Sequence, residues 1–218
     1  MNRQNQLQHP HQGQQILSGG KPLSAAEAAL ILIHGRGASA YDIIGLGMEL
    51  DNGQYTLLAP QAANNTWYPY SFLSPLDRNE PYLTSALQSV ADLVAHVEEN
   101  GISAEKIILA GFSQGACLIS EFAARNTRRY GGLLAFSGGL IGPPGTARDY
   151  PGSLEGTPVF IGCSDIDAHI PVERVHETAE ILRALGAEVH KKIYPGMAHT
   201  INQDELDQAQ KIVNEVTQ

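Results

Sequence analysis

The run Lys106 to Gly115 reads KIILAGFSQG, an apolar strand that enters Gly111-Phe112-Ser113-Gln114-Gly115 and continues into a helical segment over 116–125. A serine at the tip of so tight a strand-to-helix turn is held in strained backbone geometry, and glycines two residues to either side let strand and helix approach without side-chain collision. The Ser113 hydroxyl then projects clear of the sheet as a candidate nucleophile. Alone it is a weak one, so it needs a base to take its proton and a third group to orient that base. On such a turn the partners follow in the chain order acid, then histidine, each just after a strand. An apolar stretch at 159–162 leads into Cys163-Ser164-Asp165-Ile166-Asp167, and another at 189–194 leads into Pro195-Gly196-Met197-Ala198-His199. His199 would accept the Ser113 proton and return it to a leaving alcohol, while Asp165 or Asp167 would hold the imidazole in the right tautomer and stabilise its cation.

The oxyanion formed by such an attack needs main-chain donors, one from the residue after the nucleophile and one from a loop after an earlier strand. Gln114 supplies the first N–H. The second is expected from Arg36, which Gly35 and Gly37 flank in the segment Leu32 to Ala38. The Arg36 guanidinium has two readings, a contact for a negatively charged substrate group or a solvated side chain. His34 reads as a structural residue that holds this loop. Residues 60–82 are rich in proline and aromatic residues and lack any period, and a loop this long in a compact domain is usually functional. Trp67, Tyr68, Tyr70, Phe72 and Leu73 there would either wall an acyl pocket or pack the loop onto the core.

Two rival readings use the same residues. Asp165, Asp167 and His169 are ordinary metal ligands, although alternate positions on a tight turn need not converge on one ion. A binding protein that keeps the fold without catalysis is the other, and the presence of serine, acid and histidine in order argues against it. Cys117 and Cys163 fit no metal-ligand spacing and lie in apolar segments, as buried structural thiols do. No metal or other cofactor is expected.

The elements that must position these groups follow from periodicity. Short apolar runs at 29–33, 55–59, 106–110, 133–136, 159–162 and 189–194 alternate with helical patterns at 39–50, 84–100, 172–185 and 203–216, which predicts an α/β fold with a mostly parallel central sheet and helices on both faces. Ser39 suits a helix cap, and Gly101 and Gly186 stop two of the helices. Gly13, Gly19 and Gly20 around Ile16-Leu17 suggest an antiparallel edge hairpin in the first twenty residues, with residues 1–12 disordered. At 218 residues the whole of 1–218 is expected to form one domain.

A formal net charge of −9, with no basic cluster longer than Arg128-Arg129 or Lys191-Lys192, repels phosphate backbones and excludes nucleic acid as a partner. The Gln-rich beginning lacks the apolar stretch of a secretory signal, and no run approaches the ~20 residues of a membrane span. A cytoplasmic protein without stable membrane insertion is therefore expected, and the composition leaves room for a homodimer.

Taken together, HGRGAS at 34–39, GFSQGA at 111–116, D-x-D-x-H-I-P at 165–171 and Y-x-G-x-x-H at 194–199 resemble the phospholipase/carboxylesterase family, over roughly residues 28–216. That family includes bacterial carboxylesterases and acyl-protein thioesterases. The resemblance implies an α/β-hydrolase fold and a serine hydrolase of carboxylic esters acting through an acyl-enzyme, with lysophospholipids or thioesters as further substrates. The short, charge-poor 60–82 loop offers no long lipid-binding lid and so favours small or medium acyl esters over bulk phospholipid. The resemblance further implies Ser113 as nucleophile, Asp167 as acid, His199 as base, and the Arg36 and Gln114 amides as oxyanion hole. The chain departs from the family where the acid is commonly followed by proline, since Ala168 stands there. Asp167 still matches the register set by Pro171, which leaves Asp165 to hydrogen-bond turn amides.

Overall fold

The computed structural model describes residues 9–218. Seven strands form one sheet: β1 (Ile16–Gly20), β2 (Ala28–Ile33), β3 (Tyr55–Pro60), β4 (Ile107–Phe112), β5 (Gly132–Phe136), β6 (Pro158–Ser164) and β7 (Glu188–Tyr194). Their order across the sheet is β1-β3-β2-β4-β5-β6-β7, with β1 antiparallel to β3 and all other neighbours parallel. Five α-helices accompany them: α1 (Ala40–Leu50), α2 (Tyr82–Glu99), α3 (Gln114–Arg125), α4 (Val172–Ala184) and α5 (Gln203–Val216).

Strands β2 and β3 are buried along their full length, the condition under which a parallel sheet needs continuous apolar runs rather than alternation. Side chains nevertheless alternate between two cores. Ala29, Ile31 and Ile33 of β2 pack with α2, α3 and α4 on one face. Ala28, Leu30 and Leu32 pack with α1 and α5 on the other. Among the described residues no helix is long and apolar enough to cross a membrane.

The N-terminal expectation needs two corrections. The edge element is not a hairpin: β1 is a single strand whose antiparallel partner is β3, in register from Ile16 opposite Pro60 to Gly20 opposite Thr56. The first twenty residues hold only one apolar pair, so the second strand had to come from elsewhere in the chain. Of the segment expected to be disordered, residues 1–8 lie outside the described residues. His11 in residues 9–12 is fixed and only 2% exposed. Its Nε2 donates to the Trp67 carbonyl at 2.9 Å, and its Nδ1 accepts the Ala63 N–H at 3.1 Å.

His34 is built the same way. Its Nδ1 donates to the Gly35 carbonyl at 2.8 Å and its Nε2 accepts the Ala62 N–H at 3.1 Å. The Trp67 ring packs near both imidazoles, 5.2 Å from His11 and 5.1 Å from His34 between ring centres. Burial pushes His11 down to about 4 and lowers His34 as well, against the carbonyl hydrogen bonds that favour the cations. Above the ordinary histidine value of about 6.5 both rings are neutral, folded or unfolded, and contribute no pH dependence. Below it the unfolded chain takes up a proton at each position before the folded one does, so stability falls with pH down to the folded values. For His11 alone the loss between pH 7 and pH 4 is expected to be roughly 3 kcal/mol, at about 1.4 kcal/mol per unit. Urea unfolding across that range checks this, and His11→Gln should make the pH dependence shallower.

Candidate active site

The predicted chemistry-bearing residues stand at the C-terminal ends of the parallel strands, where α/β sheets present their ligands. Ser113 follows β4, Asp167 lies three residues past β6, His199 five residues past β7, and Arg36 three past β2. Ser113 has φ 54° and ψ −117°, a conformation that a side chain rarely accepts. Its N–H donates to the Phe136 carbonyl at 2.9 Å, which pins the turn to β5. The two glycines of the motif are steric necessities. A Cβ on Gly111 would stand 2.6 Å from the Gly115 carbonyl carbon, and one on Gly115 would stand 2.0 Å from the Ile33 oxygen. Because strand and helix can touch here, α3 starts directly after Ser113, two residues earlier than its sequence pattern suggests.

Ser113, His199 and Asp167 form one hydrogen-bonded line. His199 Nε2 lies 2.9 Å from Ser113 Oγ, and its Nδ1 lies 2.6 Å from Asp167 Oδ2. The other carboxylate oxygen of Asp167 accepts the amides of His169 at 2.8 Å and Ile170 at 3.1 Å. Burial disfavours the Asp167 anion, but the hydrogen bonds from His199 and these two amides outweigh it and hold the carboxyl below the usual range. The His199 ring packs near the rings of Phe112, at 4.9 Å, and His169, at 4.7 Å between ring centres. Asp165 turns elsewhere: its Oδ1 accepts the Gly196 N–H at 2.8 Å and so ties the acid loop to the histidine loop. The position of His199 is fixed from the other side by a capping box at the start of α5, in which Asn202 and Glu205 exchange hydrogen bonds.

The alternative ligand set of Asp165, Asp167 and His169 does not come together, since the two carboxylates face different partners. Among the described residues no group of three histidine, cysteine or acidic side chains is placed to hold a metal ion.

Two main-chain N–H groups beside Ser113 have no carbonyl acceptor among the described residues: that of Gln114, at the N-terminus of α3, and that of Arg36. A helix N-terminus favours negative charge in front of it. The side chains of these same residues grip one segment of the long loop. Gln114 Oε1 accepts the Trp67 N–H at 2.9 Å and its Nε2 donates to the Tyr68 carbonyl at 2.8 Å. The Arg36 guanidinium donates to the carbonyls of Pro69 at 2.8 Å and Tyr70 at 2.6 Å, and to Thr66 Oγ1 at 3.2 Å. Neither sequence reading of Arg36, substrate contact or free solvation, anticipated this use of its donors.

A cavity of about 440 Å³ opens over Ser113, lined by Arg36, Tyr70, Phe72, Cys117, Ile170 and His199 among others. Of the aromatic residues expected as its wall, Phe72 and Tyr70 line it. Trp67 and Tyr68 do not: they are 0% and 1% exposed and belong to the core beneath the loop, and Leu73 packs against that core. Of the two readings open to them, packing onto the core is the one realised, and the pocket-wall expectation is corrected for a physical reason: the Trp67 ring packs near both His11 and His34, and its Nε1 donates to the His34 carbonyl at 2.9 Å. Sequence reasoning missed Cys117 and Ile170 as lining residues. Cys117 was recoverable, being one helical turn beyond Ser113. Both cysteines are free and buried, and burial pushes each thiol up to about 12, which leaves them un-ionised and poor nucleophiles.

A model of the phospholipase/carboxylesterase family matches residues 13–217. The acyl-protein thioesterase 1 of Gibberella zeae is 34% identical over 122 residues, 55% of this chain and 52% of that protein. The acyl-protein thioesterase 1 of Saccharomyces cerevisiae is 31% identical over 127 residues, 56% of this chain and 55% of that protein. The matched chain thus spans about half the length of these two relatives, at 52% and 55%. A crystal structure of a phospholipase/carboxylesterase from Dyadobacter fermentans superimposes with a TM-score of 0.89 at 46% identity, over 93% of this chain and 97% of that one.

Proposed function

Since the chain belongs to the phospholipase/carboxylesterase family and has the α/β-hydrolase fold, we propose that it is a serine hydrolase of carboxylic esters with Ser113 as nucleophile, His199 as base and Asp167 as the residue that orients the base. The unbroken hydrogen-bonded line from Ser113 through His199 to Asp167 carries this reading. In the first step Ser113 Oγ bonds to the ester carbonyl carbon while its proton passes to His199 Nε2. The carbonyl oxygen becomes an anion facing the Gln114 and Arg36 amides, which were rigidly placed before the substrate arrived. Collapse breaks the bond to the alcohol oxygen, and the imidazolium returns the proton to that oxygen. Water then repeats the sequence on the acyl-enzyme, releasing the carboxylic acid and restoring Ser113. Thioesters suit the same steps with a thiol as leaving group, which is why the names of the two relatives place them in the substrate panel.

The test is a fluorophosphonate label combined with chelation. Active protein should carry the label on Ser113 and lose ester hydrolysis in proportion to labelling, and exhaustive EDTA treatment should leave the rate unchanged. Activity that chelation abolishes and metal restores, or active protein with Ser113 unlabelled, would refute the proposal.

A further inference from the structure

Ser113 stands at the cap of helix α3, its carbonyl accepting the Cys117 N–H at 3.0 Å, and within the helix Cys117 and Glu121 are four residues apart and face one direction, about 6 Å from each other at four rises of ~1.5 Å each. Ser113 holds the reacting oxygen. Cys117, which is fully buried, lines the cavity one turn further on, and its Sγ accepts the Gly139 N–H at 3.4 Å. One more turn on stands Glu121, whose side chain is only 2% exposed and is committed on both oxygens. It pairs with Arg125 at 2.7 Å and Arg148 at 3.6 Å, accepts the Ile141 N–H at 3.0 Å, and accepts the Tyr150 hydroxyl at 3.1 Å. A second charge backs the neighbouring wall. The Arg174 guanidinium lies 5.9 Å from the centre of the Phe72 ring and donates to the carbonyls of Leu140 at 2.6 Å and Gly142 at 2.7 Å.

From this stripe we infer that the enzyme is selective for short acyl groups, acetyl to butyryl, and that Cys117 sets the limit. The inference rests on the serine-hydrolase reading above. Ser113 and Cys117 line the same cavity, so an acyl chain attached to Ser113 and directed along α3 would meet the thiol after about one helical turn, ~6 Å. Beyond the thiol it meets a buried ionic network in which every displaced hydrogen bond would leave a charge without its partner, and breaking such a network is strongly unfavourable. The chain therefore cannot extend by pushing Cys117 aside, as it could in a purely apolar core. Carbon atoms added within the pocket gain the usual burial free energy, and those added past it gain nothing.

The experiment is a series of p-nitrophenyl esters from acetyl to palmitoyl, run on the parent protein and on Cys117→Ala and Cys117→Leu, with each preparation titrated by fluorophosphonate. In the parent, kcat/KM should rise about fourfold per methylene up to butyryl, the factor equivalent to ~0.8 kcal/mol per buried CH₂, and then fall. Cys117→Ala should raise the hexanoyl-to-butyryl ratio several-fold, and Cys117→Leu should lower the butyryl-to-acetyl ratio by about tenfold or more. A second series, alkyl acetates of increasing alcohol length, should keep its ratios in both variants. A parent optimum at octanoyl or longer, unmoved acyl ratios in variants that label normally, or a shift confined to the alcohol series would each overturn the assignment. Parent protein that hydrolyses no ester and takes no label would instead remove the serine-hydrolase reading, and this inference with it.

Discussion

Ser113→Ala should lower kcat for ester hydrolysis by about 10⁴-fold or more, because the members of a hydrogen-bonded catalytic unit act together and the loss of one removes most of what all contribute. The loss belongs to chemistry and not to folding. The Ser113 side chain makes one hydrogen bond, to His199, and the turn is held by the Ser113 N–H on the Phe136 carbonyl, which alanine keeps. The variant should therefore melt close to the parent temperature. Ser113→Gly should be equally inactive but melt higher than Ser113→Ala, since glycine accepts φ 54° and ψ −117° without the ~1–3 kcal/mol of strain that a Cβ brings there. Thermal denaturation of both variants beside a steady-state assay checks the pair. A folded Ser113→Ala protein with parental activity would remove Ser113 from its role.

Much of this arrangement was legible because local signals coincide with tertiary demands. The motif around Ser113 could be read since its glycines satisfy a contact between adjacent segments of chain, strand β4 and helix α3. The order of acid and histidine could be read since both follow apolar runs that are unmistakable as strands. Periodicity likewise located α5 and the sheet interior, where the same residues that favour the element also face a core.

What was not legible depends on contacts between distant segments. His11 looked like part of a polar, unstructured beginning, and nothing near it in sequence indicates that Trp67 and Ala63 will bond to both its nitrogens. For Trp67 and Tyr68 the sequence left two readings open, pocket wall or packing of the loop onto the core, because an aromatic-rich loop near an active site can serve either way. Here the loop is anchored through its main chain by Gln114 and Arg36, which turns Trp67 and Tyr68 inward and leaves Tyr70 and Phe72 facing the cavity. The edge strand failed as a hairpin for the same reason, its partner lying some forty residues away at Thr56 to Pro60.

The neighbouring aspartates provide the second large effect, since they differ by two positions and face opposite ways. Asp167→Asn should lower kcat by about 10⁴-fold, because an amide presenting its NH₂ group to Nδ1 favours the tautomer with the proton on Nε2, which cannot then accept from Ser113. Steric change is minimal, and the amide oxygen can keep the His169 and Ile170 N–H groups, so the loop should stay in place. Asp165→Asn retains an oxygen for the Gly196 N–H and should stay within a few-fold of the parent. Asp165→Ala removes that tie between the acid and histidine loops and should fall between the two, chiefly through a less well held His199. The measurement is kcat and KM for the three variants on one short ester, with labelling of Ser113 as a report on nucleophile activation. Asp167→Asn should label far more slowly than Asp165→Asn under the same conditions. If the ranking were reversed, the Asp167 carboxylate, despite its 2.6 Å approach to His199 Nδ1, would have to yield the orienting role to Asp165.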